Sequence, residues 1–153
     1  MLIRLLFATL HLLGLGVGLG AVWARARALR GPLDAQGLGR VFYADSWWGV
    51  AAAIWIGTGL VRLIGGLEKS MDYYLGNHVF WGKMTLLAAI LVLEMSPMPT
   101  LVRWRVQVRR GEMPDTRLAG RFASISYVQA VLVLLMVLAA TAMARGIGAG
   151  PRG

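Results

Sequence analysis

The stretch Phe80-Trp81-Gly82-Lys83-Met84-Thr85-Leu86-Leu87-Ala88-Ala89-Ile90-Leu91-Val92-Leu93-Glu94-Met95 decides how the rest of the chain is read. It is long and apolar enough to be a membrane helix, yet it carries a lysine and a glutamate. At about 100° per residue, Lys83, Leu87, Ile90 and Glu94 fall on one stripe. The two ionisable groups then lie about 16 Å apart along the axis, at ~1.5 Å per residue. Either charge facing lipid would be costly, so this stripe is expected to face protein, water or a ligand.

Outward from this stretch, the apolar residues gather in four long runs and show no period-two alternation. Together with 153 residues and 58% hydrophobic content, that pattern predicts an all-α integral membrane protein. The expected architecture is an antiparallel four-helix transmembrane bundle forming a single domain over 1–153. Its helices are predicted over about 2–29, 35–65, 79–109 and 115–145, with a flexible tail from 146 to 153. Pro97 and Pro99 are expected to kink the third helix or end its regular part. Asp34 is a candidate N-cap for the second, and Pro114-Asp115 marks the start of the fourth.

The formal charge of +9 raises the question of nucleic acid, and the placement of the arginines answers it. Arg25, Arg27, Arg30, Arg40, Arg103, Arg105, Arg109, Arg110, Arg117 and Arg121 fall in or beside the first and third connections. Only Arg4, Lys69, Arg145 and Arg152 lie on the other side. These are topology signals, so the expected partner is the lipid bilayer and not nucleic acid. The positive-inside rule puts both connections in the cytoplasm and both termini outside. Arg25, Arg27 and Arg30 also argue against cleavage after the Ala24-Arg25-Ala26 string, and so for a retained first helix. A composition rich in Ala, Gly, Leu and Arg points to a GC-rich bacterial genome, and with the apolar spans the expected location is a bacterial inner membrane. The absence of cysteine excludes disulfides and thiolate metal sites.

Topology sorts the intramembrane polar residues into two layers. His11, Arg62 and Lys83 belong to the outer half, with Thr58 and Thr141 nearby; Glu94, Tyr127 and Gln129 belong to the inner half, near Asp45. His11 shares a helix face with Gly14, Gly18 and Ala21, and the small residues leave a groove. Glu94 must be paired, hydrated or protonated, with Tyr127 and Gln129 as candidate partners. Each residue also has a plain structural explanation. A membrane histidine can serve as a helix-to-helix hydrogen-bond partner, Arg62 can anchor at the interface with Glu68 or Asp72, and Lys83 can snorkel outward. Met71, Met84, Met95 and Met98 are candidate Cu(I) donors and also ordinary apolar filler. No phosphate loop, zinc-protease signature or nucleophile elbow is present, so no enzyme class is indicated.

The strings Ala44-Asp45-Ser46-Trp47-Trp48-Gly49, Glu68-Lys69-Ser70, Tyr73-Tyr74-Leu75-Gly76-Asn77 and Ile125-Ser126-Tyr127-Val128-Gln129 carry a resemblance. So do His11-Leu12-Leu13 and Lys83. Together they resemble a family of bacterial four-helix membrane proteins that is a domain of unknown function. More distantly the chain is similar to the membrane-embedded protoporphyrinogen oxidases and the copper-resistance D proteins. In the oxidases a histidine in helix one and a lysine early in helix three are associated with a b-type haem. The resemblance therefore implies a haem b between helices 1 and 3, with His11 and Lys83 at the matching positions and His11 as metal ligand. Independently, Gly14 and Gly18 offer room for a macrocycle, and Arg62 or Lys83 offer cations for its propionates. Lys83 as second axial ligand stays open beside those roles. Three readings follow: a haem protein for electron transfer or tetrapyrrole chemistry, a copper or small-solute transport protein, and a structural or interaction subunit without cofactor. A homo-oligomer is compatible with each.

Overall fold

The computed structural model describes residues 1–65 and 70–148. Six helices follow in order: α1 (Leu2–Arg30), α2 (Ala35–Ile64), α3 (Met71–Leu75), α4 (His78–Glu94), α5 (Pro97–Arg109) and α6 (Ala119–Ala144). Helices α1, α2, the α4–α5 pair taken as one rod, and α6 are each long and apolar enough to cross a membrane. They form an all-helical four-span bundle. Many of its large apolar side chains point outward, as lipid requires and water would forbid; Leu12, Val92 and Leu138 are each about two-thirds exposed.

Local chemistry sets the helix ends. The Asp34 side chain accepts the Gly37 N–H at 2.7 Å and caps α2. Gly37 has no alternative at this turn, because a Cβ there would overlap the Pro32 carbonyl. The buried Asn77 side chain caps α4, accepting from the Val79 and Phe80 N–H groups at 2.9 and 3.3 Å. Pro97, at the first turn of α5, lacks the N–H that would continue α4. The third span therefore divides at Met95-Ser96 into two helices.

Two expectations need adjusting, and others fall outside the described residues. The tail residues 146–148 form a turn seated on the α4 cap, where the His78 N–H donates to the Gly148 carbonyl at 3.3 Å. Residues 149–153, and Glu68 with its proposed tie to Arg62, lie outside the described residues. The fourth long helix starts at Ala119 and not at 115, because Asp115 folds back to accept from the Arg117 backbone N–H and guanidinium.

In the packing, α1 lies against both α2 and α6, and α6 lies against α4, while no comparable backbone packing joins α2 to α4. Two apolar clusters fill the interior. One, at mid-bundle, holds Val22, Trp48, Ile90, Val133 and Met136. The other, at the Arg-rich end, holds Leu29, Leu38, Leu101, Trp104 and Phe122. The polar centre described next lies where α1, α2, α4 and α6 converge.

Candidate functional site: a buried arginine node and an outer cavity

Arg25 is wholly buried, at 0% exposure. Its reading as one of several topology signals is corrected: Arg27 and Arg30 stay with the connection, while Arg25 turns inward. All five of its N–H groups are used. Nε donates to Ser126 Oγ at 3.0 Å. Nη1 bridges Asp45 Oδ1 at 2.9 Å and Glu94 Oε1 at 2.7 Å. Nη2 donates to Glu94 Oε2 at 2.9 Å and to Gln129 Oε1 at 2.8 Å. The Arg25–Glu94 contact is thus bidentate, the strong form of this pair.

The acceptors are themselves held. Glu94 Oε2 also accepts from Gln129 Nε2 at 2.8 Å and Trp48 Nε1 at 3.2 Å. The second Asp45 oxygen accepts from Arg105 Nη2 at 3.0 Å. Two guanidinium cations face two carboxylates, so the node is formally neutral. Such balance, with all the Arg25 donors satisfied, is what makes buried charge tolerable in an apolar medium. Every span contributes a member, so the node ties the four together at one depth.

Of the residues assigned to the inner layer, Glu94, Gln129 and Asp45 meet in this node, and Glu94 takes Gln129 as a partner as expected. Tyr127 does not join. One position along α6 from Ser126, it faces another way, packing edge-on to Trp23 at 5.1 Å with the Arg30 guanidinium 5.9 Å from its ring centre. Sequence reasoning missed Arg25 and Trp48. A signal for Arg25 was present, since the face carrying His11, Gly14, Gly18 and Ala21 reaches Arg25 one turn later.

The outer layer forms a second feature. A cavity of about 130 Å³ is lined by His11, Arg62, Lys83, Trp55, Met136 and Met143, among others. The structure therefore brings His11, Arg62 and Lys83 to one place. Below it, a smaller void of about 60 Å³ runs from Trp55, Ile56 and Leu87 down to Trp48 and Glu94. The stripe Lys83, Leu87, Ile90, Glu94 thus faces the bundle interior along its length, from the outer cavity to the node.

The His11 ring is engaged on both sides. The Trp55 indole N–H donates to Nε2 at 3.1 Å, so Nδ1 carries the proton, 3.0 Å from both the Trp55 carbonyl and Thr58 Oγ1. A haem iron needs the imidazole lone pair, and here that lone pair faces the indole. The glycine groove is filled as well. A Cβ on Gly14 would stand 3.1 Å from the Trp55 backbone N and 3.3 Å from the Ala51 carbonyl, and one on Gly18 would touch Ala51 and Trp48. These glycines let α1 and α2 approach closely. A cavity of roughly 150 Å³ accommodates benzene, so the outer cavity suits a single ring. The residues in this arrangement do not fit a haem between α1 and α4.

No curated protein and no solved structure matches the chain. A family model described as "Predicted membrane protein (DUF2214)" matches residues 3–148. That match covers all four spans together with the node and the outer cavity, and the chain belongs to this family of membrane proteins, a domain of unknown function.

Proposed function

We propose that the outer cavity binds a small lipid-soluble molecule with a one-ring head group bearing hydrogen-bond-accepting or anionic oxygens. In this reading the Arg-rich end faces the cytoplasm of a bacterial cell and the cavity lies in the outer half of the inner membrane. The observation that carries the reading is the lining: apolar walls from α2, α4 and α6, with His11 of α1, Arg62 and Lys83 among them. A site of this kind, mostly apolar with a few convergent polar groups, is the usual form of a small-molecule pocket. It lies between α2 and α4, which lack close backbone packing against each other, and this favours access sideways from the bilayer. The arginine node below holds the helices in register and closes the inner half.

Duroquinone, a one-ring quinone without a long tail, is a suitable probe. In nanodiscs it is expected to quench the tryptophan fluorescence saturably, because Trp55 lines the cavity. Gly59→Leu should weaken this roughly tenfold or more, about 1.4 kcal/mol, since a Cβ at Gly59 already stands 3.2 Å from the His11 ring. Unsaturable quenching of equal strength in both proteins would remove the proposal.

A second reading has its own observation. Met84, Met136 and Met143 line the same cavity as His11, and thioethers with an imidazole are soft donors that suit Cu(I). Competition for Cu(I) against a bathocuproine chelator separates the two, because replacing the three methionines by leucine should abolish copper retention and leave duroquinone quenching intact. Haem, the reading carried by the resemblance, requires His11 to leave Trp55 and α1 to part from α2. A Soret band lost in His11→Ala would establish it, and a colourless protein from haem-replete cells would dismiss it.

A further inference from the structure

The void of about 60 Å³ beneath the outer cavity shares a wall with it, since Trp55, Ile56 and Leu87 line both. Its remaining sides include Trp48 and Ala52 of α2 and Ile90 and Leu91 of α4. Glu94, at the inner end, is the one charged lining residue among those described. Its carboxylate is turned to Arg25, Gln129 and Trp48, and the Trp55 indole N–H is given to His11. A molecule in the void would therefore meet apolar walls and polar groups already bonded to one another.

That lining decides what can lie there. A buried water needs roughly two to four polar partners, whereas an apolar cavity stays dry and takes apolar guests. Where roughly 150 Å³ holds the six carbons of benzene, about 60 Å³ has room for two or three. Leu87 and Ile90 follow Lys83 by about one and two helical turns, so the void lies directly inward of the polar groups in the outer cavity. Leu91, 48% exposed, forms its bilayer-side wall. A chain longer than the void can hold leaves past Leu91 into lipid.

We propose that the ligand of the outer cavity carries an apolar chain on its ring, and that the first two or three carbons of this chain lie in the inner void. The ligand class narrows accordingly to alkyl- or prenyl-substituted one-ring amphiphiles. The inference rests on the head-group reading of the outer cavity and adds a second point of recognition to it. An unfilled void forfeits the packing contacts of its walls, so filling about 60 Å³ should strengthen binding roughly tenfold.

Tryptophan quenching in nanodiscs tests it, with duroquinone set beside trimethylbenzoquinones that bear an ethyl, propyl or decyl chain. Concentrations are counted per lipid, so that partition into the bilayer cancels. The propyl compound is expected to bind roughly tenfold more tightly than duroquinone. The decyl compound should gain nothing further, because its remaining carbons lie in lipid. Ala52→Leu, whose added carbons occupy the void, should bring the chain-bearing compounds to the affinity of duroquinone and leave duroquinone itself unchanged. Ala53→Leu, next along α2 and exposed, should keep the preference. Gly59→Leu, in the outer cavity, should weaken all four compounds alike. Equal affinity for duroquinone and the propyl compound would overturn the chain site and leave the head-group reading standing. An affinity that climbs steadily from ethyl to decyl would do the same, by showing undirected apolar contact. Unsaturable quenching by all four compounds would remove both readings together.

Discussion

Arg25 has no free N–H left for a ligand, and that fact assigns it a structural part at the heart of the bundle. Removing one member of a buried ion pair costs on the order of 3 to 5 kcal/mol, because the partner is stranded in an apolar medium. Arg25→Leu is therefore expected to lower the unfolding midpoint in detergent sharply. Arg25→Leu/Glu94→Leu should be milder than Arg25→Leu alone, since it removes both charges, and Asp45 keeps Arg105. A double variant as unstable as the sum of its singles would show that the pair is not coupled. Glu94→Lys should fail to accumulate, placing a third cation in the node, while Glu94→Gln keeps the shape and loses one balancing charge. At this scale the sequence was readable for Glu94 and Gln129, whose depth and polarity single them out. It was missed for Arg25, because proximity to Arg27 and Arg30 gave it the same appearance although it continues the face of Gly14, Gly18 and Ala21. Only the phase of α1 against α2 and α6 separates an inward arginine from two at the connection.

Between elements, the glycines of α1 divide into two sets. Gly14 meets the α2 backbone, and a leucine there should drive the two helices apart, with a stability loss of about 1 to 3 kcal/mol from overpacking. A Cβ on Gly16 would meet nothing within 4 Å, so Gly16→Leu should be neutral in thermal unfolding. Equal effects of the two substitutions would show that the α1–α2 contact is not set by Gly14. Four apolar runs made the spans legible, and Pro97 made the break in the third span legible as well. The small helix α3 was not foreseen, because five residues capped by Ser70 give no periodic signal. Pro114-Asp115 puts the start of α6 four residues early, since Pro-Asp reads as a helix start and here forms the Asp115–Arg117 turn instead. Arg117 holds the Asp115 carboxyl below the usual carboxylate range. The turn thus keeps its charge pair above the unfolded carboxyl's pKa and loses it only as pH falls through the lowered folded value.

For the molecule as a whole, the orientation proposed above is open to direct measurement. Reporters fused after Arg30 or Arg110 should read cytoplasmic, and one fused after Tyr74 should read external; the reverse pattern would invert the assignment of the two layers. The number of spans followed from hydropathy alone. What covers what did not, because lipid-facing and protein-facing apolar residues look alike in a sequence. The node also bears on how the protein is made. Arg25 and Asp45 lie 20 residues apart, so a nascent hairpin can pair them at once, but Glu94, Ser126 and Gln129 follow 69, 101 and 104 residues behind Arg25. At synthesis rates of about 5 to 20 residues per second, the last acceptors arrive on the order of ten seconds late. Throughout that interval the translocon or a membrane chaperone must shelter a guanidinium with unmet donors. A chain halted before α6 leaves the Arg25 Nε without Ser126 and one Nη2 hydrogen without Gln129, so the set closes only with the last span.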